Sequence, residues 1–285
     1  MRLSASEFRS STNKRVSLFG MSGVGKSTLA SRLPRDAWFH YSADYRIGTR
    51  YLEEEILDNI KSQCMRLPFV RDLLRSDSIY IRSNLTIDNL APLSTFLGKL
   101  GDPNRGGLSL PEFQRRQALH HDAETQALLD VPKFIDKAAR IYDLPHFLVD
   151  AGGSVCELDA PEVLDCLTAS SVVLYIRTSD QDEAELIERA RLSPKPLYYR
   201  SAFLETHLAE YLRDRQHEYI AEIDPDDFVR WVFPKLFAAR LPRYEQIAAE
   251  HAYAVSTNEV RAVRDEADFI ELVCTAIDRH PTEPR

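Results

Sequence analysis

A three-layer α/β fold, a central parallel sheet with helices on both faces, is what this sequence predicts, and two observations predict it. Short runs rich in Val, Leu, Ile and Phe alternate with longer stretches of helical spacing, the signature of parallel strands joined by crossover helices. The first such run, Arg15-Val16-Ser17-Leu18-Phe19, ends on the loop Gly20-Met21-Ser22-Gly23-Val24-Gly25-Lys26-Ser27, which opens a helix.

The elements follow in order. Residues 1–14 are polar and are expected to form a flexible tail. After the strand at Arg15 to Phe19, Lys26 to Leu33 reads as a helix stopped by Pro34, and Ala37 to Tyr41 as a second strand. From residue 45 to 145 Leu, Ile and Arg recur at helical spacing, broken at Leu67-Pro68 and by the loop from Gly101 to Gly107. Strand character returns at His146 to Asp150 and Ser171 to Ile176. Helices are expected at Asp180 to Arg191, Ser201 to Arg215 and Asp226 to Ala239. A last strand follows at His251 to Ser256, then a closing helix at Glu266 to Arg279 and a frayed end beyond it. The expected organisation is therefore a tail (1–14), a core (15–44 and 146–285) and a mostly helical insertion (45–145) that would serve as an acceptor or lid subdomain.

With 36 basic and 44 acidic side chains the net charge is −8, which argues against a nucleic-acid or anionic-membrane binder. Cys64, Cys156, Cys166 and Cys274 are far apart and form no CxxC pair, so reduced thiols are expected rather than a zinc site or disulfide framework. No apolar run reaches the roughly 18–20 residues of a membrane span, and the cytoplasm is the expected compartment. The oligomeric state is not legible.

The glycine loop satisfies Gly-x-x-x-x-Gly-Lys-Ser in full and lies between a strand and a helix, the context that a Walker A phosphate loop requires. Small residues let the backbone N–H groups converge on phosphate oxygens, and the following helix adds its positive end. Residues Gly20, Met21, Ser22, Gly23, Val24, Gly25, Lys26, Ser27 and Thr28 are thus expected to hold a nucleotide, ATP. Lys26 would reach the terminal phosphates and Ser27 would ligate Mg²⁺.

Two carboxylates stand where parallel strands end. Asp44 closes the second strand region, 18 residues beyond Lys26, where it could accept the proton of an attacking hydroxyl; capping of the next helix is the competing reading. Phe147-Leu148-Val149-Asp150 is a Walker-B-like run that would put Asp150 beside the metal, and Gly152-Gly153 permits close backbone approach.

In this order the chain resembles the shikimate kinase group of small-molecule P-loop kinases. Ser193-Pro194-Lys195-Pro196-Leu197 is similar to that family's lid segment, and Ala239-Arg240-Leu241-Pro242-Arg243-Tyr244-Glu245-Gln246-Ile247-Ala248 to its Arg-x-Pro-x-Tyr-x-x-x-Ala helix. The resemblance implies a nucleoside/shikimate-kinase-like P-loop NTPase fold. Asp44 would then contact the acceptor hydroxyl, and Gly152 and Gly153 would line its pocket. Lys195, with Arg189 and Arg191, would belong to a lid, and Arg240 would bind an anionic group. Phe113-Gln114-Arg115-Arg116-Gln117 is similar to an acceptor-binding segment, so Arg115 and Arg116, with Arg46, become candidate ligands of an anionic acceptor. The chain departs from the pattern in three places. Ser42-Ala43-Asp44 lacks the first strand-two carboxylate, Lys195 replaces an arginine, and 108 residues separate Asp44 from Gly152.

Two functions compete. The first is a phosphotransferase moving the γ-phosphate of ATP to a hydroxyl of a small anionic molecule. The second is a regulatory ATPase that acts on a protein through the helical insertion. An NKxD motif, which would mark a GTPase, does not occur.

Overall fold

The structure, a computed structural model, describes residues 3–279. The frayed end expected beyond Arg279 lies outside the described residues. The chain divides into two compact units: Met1–Ala43 with Glu124–Ser193 and Val232–Arg285, and Asp44–Ala123 with Pro194–Trp231. The dividing lines differ from those expected, since residues 124–145 join the sheet and 194–231 join the helical unit.

The first unit is built on five parallel strands: β1 (Arg15–Phe19), β2 (Trp38–Ser42), β3 (His146–Asp150), β4 (Val172–Arg177) and β5 (Tyr253–Ser256), in the order β2-β3-β1-β4-β5. β1 is central. Its Val16, Leu18 and Phe19 are buried because a parallel strand covered on both faces needs apolar side chains in both directions. Ser17, also fully buried on β1, is hydrogen-bonded to the hydroxyl of Ser171 at 2.6 Å. The register sets Leu18 against Asp150, and Ser42 against Asp150 on the other side. The carboxyl ends of three adjacent strands therefore meet at Asp150. This is an α/β fold of the P-loop NTPase type.

The N-terminal segment is not the flexible tail expected of it. Ala5–Ser10 forms a helix whose capping box joins Ser4 and Glu7, and Phe8 is buried in the core. One buried phenyl ring contributes enough apolar area to anchor a short amphipathic turn.

The second unit is helical. It contains Glu53–Cys64, Pro68–Arg75, Ala91–Leu97 and Ser201–Arg215, together with the first part of Leu110–Leu129. Its interior includes Ile56, Phe96, Phe113, Tyr199 and Phe228. Gln117 ties two of its chain segments together, accepting from the amide of Tyr199 at 2.7 Å and donating to the carbonyl of Leu197 at 3.2 Å.

Candidate nucleotide site

Within the first unit the glycine loop leaves β1 and enters the helix Lys26–Ala30. Met21, Val24 and Lys26 are buried, while Ser22, Gly23, Ser27 and Thr28 are exposed, so the loop presents its polar rim to solvent. Gly23 has φ +89°, a region side chains disfavour, and a Cβ there would meet Leu186 Cδ2 at 2.9 Å and an Arg189 guanidinium nitrogen at 3.0 Å. The second distance carries chemical information. Arg189, near the end of the helix Asp180–Leu192, holds its cation against the rim of the loop.

Lys26 folds back along the loop, donating from Nζ to the carbonyls of Gly20 at 2.8 Å and Met21 at 3.0 Å. The ammonium is thereby held at the curve where phosphates would arrive. Ser27 Oγ donates to Asp150 Oδ2 at 2.5 Å. Asp150 is buried at the end of β3, and His40 Nε2 on β2 is 4.0 Å from the same carboxylate oxygen.

The hydroxyl of Ser27 and the carboxylate of Asp150 are hard oxygen donors, the chemistry that Mg²⁺ prefers. No cluster of three or more His, Cys, Asp or Glu able to hold a metal occurs among the described residues. Mg²⁺ commonly takes one or two protein carboxylates and completes its shell with phosphate and water.

Beyond β3 the chain turns through Gly152 and Gly153. A Cβ on Gly153 would lie 2.8 Å from both N and Cβ of Ser22, so this glycine lets two backbones touch. Ser154 donates to the buried carboxylate of Glu124 at 2.6 Å. Arg240, itself buried, donates from Nε to Glu157 Oε1 at 3.1 Å and from one terminal nitrogen to the Gly153 carbonyl at 3.1 Å. Nearby, burial pushes the Cys156 thiol up to about 12, against the pull of Arg240, so it stays neutral and unreactive.

The remaining sequence candidates, Arg191 excepted, lie in the second unit. Asp44, half-buried, sits in the helical turn Ala43–Arg46, which runs into a π-helical turn, Ile47–Tyr51. Arg46 lies 5.5 Å from the ring centre of Tyr51. Arg115 is paired with Glu112 at 2.9 Å and Glu55 at 3.1 Å, and hydrogen bonds from Arg115 dominate the forces that hold Glu112 at about 2. Arg116 is buried and spends its guanidinium on Glu112, Asn59 and the Phe96 carbonyl, with the Phe96 ring beneath it. Lys195 is exposed. Arg191 pairs with its helix neighbour Glu188 at 2.7 Å, in the first unit.

Sequence reasoning missed the roles of Glu157, Glu124 and His40 and ranked Arg189 behind Lys195. The one usable signal was the period of two on β2, which puts His40 on the same face as Ser42.

A scan of known protein families returns no match, and no curated protein matches the chain. A search of solved structures finds a 1.7 Å crystal structure of shikimate kinase from Bacteroides thetaiotaomicron, with a TM-score of 0.37, 12% identity, and coverage of 93% of this chain and 95% of that chain. At that level the likeness carries no argument about function, and the fold rests on its own sheet order and glycine loop.

Proposed function

We propose that the chain binds ATP with Mg²⁺ on the loop Gly20–Thr28 and transfers the γ-phosphoryl group to a hydroxyl of a small, anionic acceptor. The observation that carries this reading is the Ser27–Asp150 contact of 2.5 Å beside a Lys26 held in the curve of a complete phosphate loop. In the reaction the acceptor oxygen attacks the γ-phosphorus, the bond to the β–γ bridging oxygen breaks, and ADP leaves. The acceptor proton passes to the Asp44 carboxylate. Such transfer depends on positioning and charge neutralisation more than on covalent help from the protein.

Lys26 neutralises terminal phosphate charge, and Arg189 supplies a second cation at Gly23, with Lys195 as a further lid residue. Ser27 and Asp150 would hold Mg²⁺, which would supply positive charge to offset that developing on the transferred phosphoryl group. Gly152 admits close backbone approach. Arg46 is the basic candidate for the acceptor's anion.

A second reading, a regulatory ATPase working on a protein partner, is favoured by one feature of the second unit. The helix Pro68–Arg75 has no buried residue, and Phe69 and Tyr80 are 76% and 81% exposed. Exposed apolar groups mark an interaction surface where they are contiguous. The two readings separate in a screen of metabolite pools for ATP-dependent phosphorylation, with Lys26→Ala as control. A phosphorylated product made by the wild type alone supports the kinase. Slow hydrolysis with no product, accelerated by a partner that contacts residues 45–142, replaces it with the ATPase.

A further inference from the structure

The geometry points to Arg240 and Glu157 as a buried positioning pair that holds the Gly152-Gly153 turn against the phosphate loop, rather than to Arg240 as a ligand of the acceptor. The inference rests on the nucleotide reading of that loop.

The chain of contacts is continuous and lies wholly within the first unit. Arg240 reaches the Gly153 carbonyl at 3.1 Å and Glu157 Oε1 at 3.1 Å. Both side chains are shut from solvent, at 6% and 1% exposure, so the guanidinium is committed to protein oxygens. The next link is steric. Gly153 rests on Ser22 so closely that a Cβ would strike the Ser22 amide nitrogen at 2.8 Å. Ser22 is the third residue of the phosphate loop. The turn is tied at two further points: the Glu157 amide donates to the Ser154 carbonyl at 2.7 Å, and the Ser154 hydroxyl donates to Glu124.

These contacts join the two halves of the site. The segment that begins at Asp150, on the hydroxyl of Ser27, ends at Glu157, on Arg240. Moving the turn displaces Ser22 on one side and loosens Asp150 on the other. Arg240 therefore acts on the nucleotide through Gly153 and Ser22, and its planar fork matters because it serves a carboxylate and a carbonyl at once. Lysine, a point charge with a single nitrogen, lacks the two separate donor nitrogens with which Arg240 reaches them.

The test measures the affinity of a fluorescent ATP analogue with Mg²⁺, with no acceptor present, in wild type, Lys26→Ala, Arg240→Lys, Glu157→Gln and the double variant Arg240→Leu/Glu157→Leu. Hydrogen exchange is followed across residues 20–25 and 150–157 without nucleotide. Removing a supporting residue behind a ligand-binding group typically costs 10- to 100-fold, so Arg240→Lys should weaken nucleotide binding by about tenfold. Glu157→Gln keeps an acceptor for Arg240 Nε and should lose only a few-fold. The double variant guards against simple unfolding, because an apolar pair often replaces a buried ion pair without loss of stability. It should melt near wild type, bind nucleotide as weakly as Arg240→Lys, and exchange faster in both segments. Unchanged nucleotide affinity and exchange in all three variants would overturn the inference. If wild type and Lys26→Ala bind the analogue equally, the nucleotide reading fails. Exchange then still reports whether Arg240 holds the loop.

Discussion

Exposed ion pairs occur in both units, as between Arg177 and Glu245 in the first, but the first also buries one. In the first, Arg240 and Glu157 lie below 7% exposure and are bound to each other and to the backbone of the turn after β3. In the second, Arg115, Arg105 and Arg215 pair with Glu112, Asp224 and Asp227 while about half exposed, at 47%, 58% and 44%. Arg116 is the exception there, buried between two helices. A surface pair gains little because water already serves both ions, whereas a buried pair cannot lose one member without stranding the other. The difference teaches where substitutions reach the chemistry and where they do not.

Kinetics provide the largest expected effect, because they ask whether the second unit contributes to the reaction at all. Asp44→Asn should slow phosphoryl transfer by roughly 10²–10⁴ while leaving nucleotide affinity nearly intact, as expected on loss of a general base. Equal losses in affinity and rate would instead make Asp44 a structural cap. Asp150→Asn, in the first unit, should chiefly change the Mg²⁺ concentration needed for half-maximal rate.

Next in size is the buried pair. Glu157→Ala strands the Arg240 cation and should cost about 3–5 kcal/mol in denaturant unfolding. A cost near zero would show that solvent reaches Arg240, and the contrast between the units would weaken.

A smaller effect concerns pH. Burial pushes the Asp182 carboxyl up, but hydrogen bonds from Thr257, Ser179 and Arg261 outweigh it and hold the group at about 2, below its ordinary 3.8. The folded carboxylate therefore stays ionised where the unfolded one has gained a proton. Its stabilisation, roughly 2 kcal/mol, is complete above the unfolded value and is lost as pH falls from about 4 to about 2. Asp182→Asn should flatten that part of the stability curve; an unchanged slope would place the acid sensitivity elsewhere.

The smallest effect belongs to the surface. Arg115→Ala should change stability by less than about 1 kcal/mol, since both of its partners are exposed pairs. It should also leave nucleotide binding untouched. A marked loss of acceptor affinity in this variant would restore Arg115 as a substrate ligand.

Legibility in the sequence follows the range of the interactions involved. β3 spans His146–Asp150 and a helix spans Ser201–Arg215, both as the periodicity predicts, because local pattern decides them. The phosphate loop was legible because its chemistry demands a fixed string of residues. The Arg240–Glu157 pair was not, since 83 residues separate its members and Glu157 lies in no motif. The assignment of residues 194–231 to the helical unit was hidden for the same reason: contacts such as Gln117 with Tyr199 join distant segments. Phe8, a lone aromatic in a polar stretch, carried too little periodicity to reveal that the N-terminal segment folds onto the core.

The central claim is that the loop Gly20–Thr28 binds Mg-ATP through Lys26. A thermal-shift titration tests it most directly, because a ligand that binds only the folded state raises Tm by mass action. Wild type should gain several degrees as Mg-ATP rises to about 100 times its Kd, equivalent to about 2.7 kcal/mol, and Lys26→Ala should lose most of that gain. Equal shifts in the two proteins, or none in the wild type, would contradict it.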